Sequence, residues 1–344
     1  MLTHMHLILR ANMSKAIIAP RTIDKRPSLG PQLPLLEPHV ILIDPSSACN
    51  LRCRFCPTGD PALIKQTGRF QGQLTLPVFK KLISDISQFE KPLKLLHLYK
   101  EGEPLLNKHL PEFIRLAKDS NIQRVDTTTN GLLLTEKLSE SLIESGIDQI
   151  NISLNGLTPQ HYLDYTQRNV NVDSLIRQIH FLCKISGSTT IYVKCIKEHL
   201  STEEQALFFE TFADYADRIY FEGLQPNWPN FSFDYIEPDY SSGHYGQALQ
   251  HRQVCPFIFY MMVVNSDGSV SACVQDWNHE LIIGDANSSS LSEIWNSEAF
   301  NKLRFAHLNH EKHKYKNCHS CPVLKHGCLD NIDNYASSLM AHYK

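Results

Sequence analysis

The sequence lacks the features of a nucleic-acid-binding, membrane-spanning or secreted protein. Its formal charge is −3 and its pI is near 6.6, so it offers no basic footprint for a nucleic acid. No apolar run approaches the ~20 residues that a helix needs to cross a bilayer. The start, MLTHMHLILRANMSK, has only a short apolar patch and no small-residue cleavage site, so we expect no signal peptide. The expected location is the cytoplasm, without membrane or nucleic-acid partners.

Cysteine, in contrast, is abundant for such a chain. There are 10 cysteines in 344 residues, within an otherwise ordinary globular composition. Without a secretion signal, a reducing compartment is expected, where thiols more often bind metal or perform chemistry than form disulfides. The length suits one large domain with an extension, or two domains.

The chain alternates between strand and helix patterns after a proline-rich lead-in at 1–38. Predicted strands lie at 39–44, 93–99, 122–130, 147–156, 189–197 and 217–223, and predicted helices at 76–89, 109–120, 135–146, 172–186 and 201–216. Such alternation predicts a parallel sheet covered by helices. Six units are too few for an eight-fold barrel, so we predict an α/β fold with a partial (β/α)6 TIM-type barrel over 39–223.

The pattern changes after residue 223. Residues 224–254 are rich in Pro, Gly, Ser and aromatics, which is typical of a linker or an active-site loop. Two apolar runs at 257–274 flank Asp267-Gly268 and predict a hairpin. One helix is predicted at 290–307. We therefore predict a small α+β domain at 255–330, followed by a tail at 331–344.

The segment CNLRCRFC places Cys49, Cys53 and Cys56 directly after the first barrel strand, on the edge where a parallel sheet binds ligands. Iron–sulfur clusters usually have four cysteine ligands. Three thiolates would leave one iron open to a non-protein ligand. Core thiols and a zinc site remain alternatives, although no histidine lies at ligand spacing nearby.

These residues resemble the radical S-adenosylmethionine (SAM) superfamily. The spacing is CxxxCxxC, with an aromatic residue, Phe55, before the third cysteine. EGEPLLN (101–107) resembles the GEP motif of that family, and TTTNG (127–131) and INISLNG (150–156) end two further strands. The resemblance implies a [4Fe-4S] cluster on the three cysteines with SAM at its open iron. It implies cofactor-binding roles for the following residues: Phe55, Gly102, Glu103, Pro104, Asn130, Ser153, Asn155 and Arg168.

Within that set, the resemblance implies that Glu103 accepts hydrogen bonds from the SAM amino group. Ser153 and Asn155 would lie near its ribose or carboxylate, and Arg168 would pair with the carboxylate. The family's chemistry is one-electron cleavage of SAM to a 5′-deoxyadenosyl radical, which takes a hydrogen atom from the substrate. A flavodoxin- or ferredoxin-type protein is the implied electron donor.

A second cysteine set lies in the C-terminal region. The predicted hairpin brings Cys255 and Cys273 together, and CHSC supplies Cys318 and Cys321. This layout resembles the SPASM and Twitch domains of radical SAM enzymes, which implies one auxiliary [4Fe-4S] cluster on these four thiols. A structural zinc site is the alternative for the four. Cys328 is either a further ligand or a spare buried thiol.

Of four other residues, one has a single interpretation and three have two. Cys183 is interpreted as a core thiol of a helix. Cys195, on the fifth barrel strand, is a core thiol or a hydrogen-atom donor. His97 and Asp276 are structural residues or candidate bases facing the cavity.

Three hypotheses for function follow. The first is dehydrogenation of a sugar or aminocyclitol alcohol, with the auxiliary cluster taking an electron, because the C-terminal thiol spacing resembles the Twitch dehydrogenases. The second is cross-linking, epimerisation or residue oxidation of a peptide or protein, which the short lead-in disfavours. The third is a non-catalytic iron–sulfur electron carrier, which leaves the GEP, TNG and ISLNG segments unexplained. An aromatic loop is expected to cover the substrate: Trp228, Phe231, Phe233, Tyr235, Tyr240 and Tyr245.

Overall fold

The computed structural model describes residues 14–20, 26–198, 200–233, 240–244 and 246–344. Tyr235 and Tyr245 of the predicted aromatic loop lie outside these residues, as do parts of the lead-in. No helix within the described ranges has the length and apolarity that crossing a membrane requires.

The described residues form one ten-stranded sheet. Its strands are β1 (Ile17–Ile18), β2 (Val40–Ile43), β3 (Leu95–His97), β4 (Val125–Thr129), β5 (Gln149–Leu154), β6 (Thr190–Ile196), β7 (Arg218–Glu222), β8 (Met261–Val264), β9 (Ser269–Ser271) and β10 (Ile282–Asp285). The spatial order is β1-β7-β6-β5-β4-β3-β2-β8-β9-β10. Strands β2 to β7 are the six predicted strands, all parallel and in sequence order, so the partial barrel is confirmed.

Helices separate these strands and cover one face of the sheet. They are α1 (Pro61–Thr67), α2 (Leu76–Ser87), α3 (Leu110–Lys118), α4 (Glu136–Glu144), α5 (Pro159–Thr166), α6 (Val172–Ile185), α7 (Thr202–Phe212), α8 (Leu291–Trp295), α9 (Glu298–Leu308), α10 (Lys316–His319), α11 (Val323–His326) and α12 (Ala336–Leu339). Single 3₁₀ turns lie at Gly30–Gln32, Pro57–Gly59, Pro104–Leu106, Phe257–Phe259, Lys312–Lys314, Asp333–Tyr335 and Met340–His342.

Local side-chain caps set several helix starts. The predicted capping box at Ser201 and Glu204 is present at the start of α7. The predicted single helix at 290–307 is wrong, because Ser297 caps a new helix start and splits it into α8 and α9. Helix α5 was missed by the sequence analysis, although Thr158 caps it and Pro159 occupies its first turn.

The hairpin after the barrel is part of the barrel sheet. Strand β8 pairs in parallel with β2, from Val40 opposite Met261 to Ile43 opposite Val264. Strands β9 and β10 then continue the sheet in antiparallel pairs. The sequence predicted the hairpin but not this pairing, which places the second cysteine set beside the first barrel strand.

The core lies between the helices and the covered face of the sheet. Ile41 and Leu96 on neighbouring strands are fully buried there, and Phe79 of α2 stacks on Phe113 of α3 with ring centroids 4.1 Å apart. Along β5, the buried Ile150 and Ile152 alternate with polar residues that face the opposite side. That opposite side is the concave interior of the partial barrel.

We expect Ile41→Ala to lower the free energy of unfolding by about 2–5 kcal/mol. The Ile41 side chain has no exposed surface, so its removal leaves a cavity at a central strand. The matched control is Ile17→Ala, whose side chain is 58% exposed on the edge strand, and which we expect to change stability by less than about 0.5 kcal/mol. Urea unfolding of the apoprotein measures both. Equal effects would contradict the placement of β2 at the centre of the sheet.

Candidate active site

The loop that carries Cys49, Cys53 and Cys56 runs from β2 to α1 and lies against the end of α5. The backbone N–H of Arg52 donates to the carbonyl of Thr166 (3.1 Å), and that of Arg54 donates to Tyr165 (2.9 Å). Helix α5 therefore fixes the cysteine loop, a role that the sequence analysis did not identify. Within the loop, a Cβ at Gly59 would lie 2.2 Å from the carbonyl oxygen of Cys53, so only glycine fits.

Burial makes these three thiols poor acids unless a cation takes their charge. Burial, together with the nearby Glu103 and Cys56, raises the pKa of Cys49 to about 12. Burial and the two neighbouring thiols raise the pKa of Cys53 well above its ordinary range. In the described part of the chain, no three His, Cys, Asp or Glu side chains converge closely enough to hold one metal ion. The three thiols thus share a loop without surrounding a single ion-sized point.

The GEP segment packs directly on the cysteine loop. A Cβ at Gly102 would lie 2.0 Å from the carbonyl oxygen of Ser46 and 2.2 Å from that of Ala48. The backbone N–H of Glu103 donates to the same Ala48 carbonyl at 2.8 Å. Pro104 begins a single buried 3₁₀ turn immediately afterwards. Glycine is therefore required at 102 for the two loops to approach.

The buried carboxylate of Glu103 joins the GEP segment to the end of β4. Its Oε1 accepts from the Thr129 hydroxyl (2.6 Å) and the Leu105 N–H (3.0 Å), and its Oε2 accepts from the Asn130 N–H (2.9 Å). Burial raises the pKa of Glu103 above its ordinary value, and these hydrogen bonds offset only part of that rise. A carboxylate has about four acceptor positions, so Oε2 retains capacity for one further donor.

The remaining predicted cofactor residues lie around the same edge. Asn130 donates its side-chain amide to Asn50 of the cysteine loop at 2.7 Å. Phe55 packs edge-on against Tyr165 of α5. Ser153 ends the inward face of β5, and Asn155 is buried just beyond it. Arg168 is exposed one residue after the left-handed end of α5.

The second cysteine set lines one cavity. Four thiols face it: Cys255, Cys273, Cys318 and Cys321. Cys328 does not line this cavity. It lies behind Cys255, hydrogen bonded to that thiol, and packs with Val323 and Leu324. The predicted four thiols are thus brought together, and the fifth lies behind one of them.

The candidate bases have different surroundings. The carboxylate of Asp276 is fully buried and accepts hydrogen bonds from the Ser271 hydroxyl, the Asn317 amide and the N–H groups of Glu280 and Leu281. It therefore lines and organises the auxiliary cavity, and with four donors already bound, its role as a base stays a prediction. His97 lies on the inward face of β3, with Nδ1 2.6 Å from Oδ1 of Asp126.

The two thiols outside both sets are core residues. Cys183 of α6 is buried, as the sequence predicted. Cys195 is 1% exposed and belongs to the hydrophobic core, while its neighbour Lys194 faces inward and pairs with Glu222 at 2.5 Å. Because successive strand residues face opposite sides, Cys195 points to the helices. The expectation that it donates a hydrogen atom in the barrel interior is corrected by this placement.

A buried ion network lies between the two cysteine sets. The carboxylate of Glu101 is 2.5 Å from Arg69, 2.5 Å from Lys100 and 3.1 Å from His279. Burial alone would raise the pKa of Glu101, but these partners lower it to about 2. The sequence analysis missed this network, and the only sequence signal was the charged pair Lys100-Glu101 directly before the GEP motif.

This network connects the two cysteine sets through hydrogen bonds. The N–H and hydroxyl groups of Thr58 donate toward Cys56, and Arg69 donates to that hydroxyl oxygen (2.9 Å) and to the carbonyl of Trp277 (2.8 Å). The preceding residue, Asp276, donates its N–H to the carbonyl of Cys273 at 3.2 Å. Arg69 therefore bridges the cysteine loop and the auxiliary cavity.

The loop at 224–254 contacts both halves of the site. The indole of Trp277 donates to the carbonyl of Pro229 at 2.8 Å, and Phe231 packs edge-on against the same indole. Phe233 packs with Tyr165 and Phe55 beside the cysteine loop. That the loop covers a substrate stays a prediction, as do the domain boundaries.

Asp44 is a buried acid at the end of β2 whose carboxylate has no side-chain donor among the described residues, and the backbone of Glu101 supplies its hydrogen bond. Burial and, to a lesser extent, the charge of Glu101 raise its pKa to about 7, against the opposing effects of Lys100, Arg69 and that hydrogen bond. Between about pH 4 and pH 7 the folded protein therefore holds a proton that the unfolded chain releases.

We expect Gly102→Ala to displace the cysteine loop and to reduce reconstituted iron from about eight to about four atoms per chain, since each four-iron cluster contributes four. Gly223→Ala is the control, because the nearest atom to its new Cβ would lie at 3.5 Å. Anaerobic iron analysis measures both. Full iron content in Gly102→Ala would show that the two loops need not pack closely.

We expect Asp44→Asn to remove a pH dependence of stability. Because the folded-state pKa is raised, the wild type loses stability as the pH rises from about 4 to about 7, by at most about 1.4 kcal/mol per pH unit for one group. The stability of the variant relative to the wild type should therefore increase over that pH range. Urea unfolding of both apoproteins at several pH values measures the difference, and parallel curves would contradict the raised pKa.

Comparison with known proteins identifies two domains. Residues 43–206 match the model of the radical SAM superfamily, and residues 255–322 match that of SPASM, an iron–sulfur cluster-binding domain. Among curated relatives, a GTP 3′,8-cyclase of Chlorobaculum tepidum is 29% identical over 182 residues, which are 53% of this chain and 52% of that one. A probable GTP 3′,8-cyclase of Methanococcus vannielii is 34% identical over 126 residues, 36% of this chain and 38% of that one. The chain spans about half or less of the length of these relatives.

Solved structures share the fold. BtrN in complex with AdoMet and 2-DOIA has a TM-score of 0.52 at 18% identity, covering 83% of this chain and 92% of that one. The structure anSMEcpe with bound AdoMet has a TM-score of 0.57 at 15% identity, covering 88% and 96%. SuiB of Streptococcus suis bound to S-adenosylmethionine has a TM-score of 0.54 at 14% identity, covering 78% and 68%.

These two domains make the protein an enzyme that uses SAM, a [4Fe-4S] cluster and an auxiliary iron–sulfur cluster, which removes the hypothesis of a non-catalytic electron carrier. The order of the domains agrees with the positions of the two cysteine sets on the sheet. The chain belongs to the radical SAM superfamily and carries a C-terminal SPASM domain.

Proposed function

We propose that the protein is a radical SAM oxidoreductase that dehydrogenates a secondary alcohol of a sugar or aminocyclitol. When bound, SAM and the two clusters supply a 5′-deoxyadenosyl radical that removes the hydrogen atom from the alcohol carbon, and an acceptor for one electron. The hydroxyl proton passes to a base of the protein, so the substrate loses two electrons and two protons in total and becomes a ketone. A flavodoxin- or ferredoxin-type protein of the cytoplasm would supply the electron that cleaves SAM.

The observation that carries this proposal is the four-thiol cavity. Four cysteine ligands are the usual complement of a four-iron cluster and leave no iron open to a substrate. The cavity lined by Cys255, Cys273, Cys318 and Cys321 therefore suits electron transfer better than substrate binding. Dehydrogenation needs an electron acceptor after the hydrogen atom has left.

At the other site, Cys49, Cys53 and Cys56 would hold the SAM-binding cluster. Their burial requires a cationic partner before they ionise, which iron provides. The free acceptor position on Oε2 of Glu103 would receive the SAM ammonium group, and a positive charge would also favour the ionised carboxylate. Ser153 and Asn155 would lie beside the remainder of SAM.

The inward face of the sheet suits a polyhydroxylated substrate. It presents the His97–Asp126 pair, the Lys194–Glu222 pair and the amide of Asn151, which are charged or hydrogen-bonding groups. His97, which Asp126 orients through Nδ1, would be the base that accepts the substrate proton. BtrN, which shares the fold, was solved with AdoMet and 2-DOIA.

Peptide modification is the second candidate. SuiB bound to its precursor peptide SuiA and anSMEcpe with a Cp18Cys peptide share the fold, each with a TM-score of 0.55. Cyclisation of GTP is a third, suggested by the names of the curated relatives. Those matches leave about half of each chain without counterpart, so they do not favour one substrate.

The test is an anaerobic assay of the reconstituted enzyme with SAM, a reductant and aminocyclitol or amino sugar alcohols deuterated at the alcohol carbon. We expect deuterium in 5′-deoxyadenosine and one ketone per molecule formed, both read by mass spectrometry. The variant with Cys49, Cys53 and Cys56 replaced by alanine should form neither product. Cys273→Ala should still transfer deuterium but form little ketone, because the electron acceptor is lost.

Parallel reactions with peptides and with GTP separate the alternatives. Deuterium transfer only from a labelled peptide, or conversion only of GTP, would replace the alcohol proposal. Full ketone formation in Cys273→Ala would contradict the role of the auxiliary site.

A further inference from the structure

We propose that His307 donates its Nε2–H to a sulfur of the auxiliary cluster and thereby raises the reduction potential of that cluster. The inference rests on the proposed assignment of the four cavity thiols. His307 would be a positioning and tuning residue without substrate contact.

The first observation is where the fold places this ring. His307 lies near the end of α9, is 2% exposed, and lines the cavity together with Cys255, Cys273, Cys318 and Cys321. Its position comes from the helix and not from a cysteine motif, so the spacing of the cysteines gave no indication of it.

The second observation is the hydrogen bonding of the two ring nitrogens. Nδ1 of His307 accepts from the backbone N–H of Cys255 at 3.4 Å. A nitrogen that accepts carries no proton, so the proton of the neutral ring lies on Nε2. Nε2 has no hydrogen-bond partner among the described residues and no exposed surface. A buried donor without a partner is unfavourable, so an acceptor is expected within reach of it.

The other described groups at the cavity do not accept a hydrogen bond from Nε2 of His307. The carboxylate of Asp276 already accepts from Ser271, Asn317 and two backbone N–H groups. The side-chain oxygen of Gln275 also lines the cavity but makes no hydrogen bond within the described chain, so it does not accept from Nε2 of His307. Sulfur acceptors in the cavity would satisfy the Nε2 donor.

A donor at this place has an electronic consequence. Hydrogen bonds to cluster sulfurs stabilise the reduced, more negative state and so raise the potential. The auxiliary cluster of a dehydrogenase has to accept an electron from a substrate radical. His307 would make that acceptance more favourable.

The experiment compares His307→Leu with His307→Gln in the anaerobic holoenzyme, without substrate. The auxiliary cluster is identified as the paramagnetic signal that SAM does not change. We expect His307→Leu to retain about eight irons, to shift the auxiliary midpoint potential to more negative values, and to lose an exchangeable-proton coupling in pulsed electron paramagnetic resonance. His307→Gln, which keeps an N–H donor, should restore most of both, and the exposed control His342→Leu should match the wild type.

Two results would overturn the inference. Unchanged potential and proton coupling in His307→Leu would show that Nε2–H does not reach the cluster. Loss of about four irons in both His307 variants would make the residue a ligand or a structural support instead. The experiment uses no substrate, so its outcome does not depend on whether the proposed substrate class is correct.

Discussion

The arrangement of the whole site depends on the burial of three charged side chains between its two halves. Glu101 has almost no exposure and is held by Arg69 and Lys100, whose side chains are equally inaccessible. Buried charges are tolerated only when paired and hydrogen bonded, and removing one partner costs several kcal/mol. Arg69 and Lys100 also bind the backbone of Trp277 and Asp276, so the same pairing that neutralises the charges holds the auxiliary cavity against the GEP segment. The need to keep these buried charges paired therefore fixes the position of one cysteine set relative to the other.

The two cysteine sets have opposite electronic requirements, and their surroundings reflect this. Around the cysteine loop, Glu103 and the neighbouring thiols are acidic groups that would attract the positive charge of SAM. Around the auxiliary cavity, Lys312 is one of the lining residues and His307 presents a donor. The positive Arg69 lies between the two. In the proposed dehydrogenation, the electron leaving the substrate would move toward the auxiliary cavity.

Sequence periodicity was sufficient for the barrel, because the six parallel strands follow from alternating apolar runs and helices. Gly102, Glu103 and Asn130 were singled out by the resemblance of short segments at strand ends to a known family, and these segments do lie together. Contacts between distant segments could not be predicted in this way. Arg69 meets Trp277 across 208 positions, and β2 pairs with β8 across about 220. His307 and Asp44 were missed because each matters through buried side-chain atoms that no other side chain satisfies, and only the packing of the folded chain reveals this.

The additional strands at the two ends of the barrel sheet also limit how another chain can approach it. Strand β1 covers the outer side of β7, and β8 to β10 cover the outer side of β2. Unpaired strand edges are the usual place where an extended polypeptide adds itself to a sheet. A polypeptide arriving at β7 would first have to displace Ile17 and Ile18. The two outer edges of the described sheet are therefore β1 and β10, so an added strand would pair with one of these and not directly with a barrel strand.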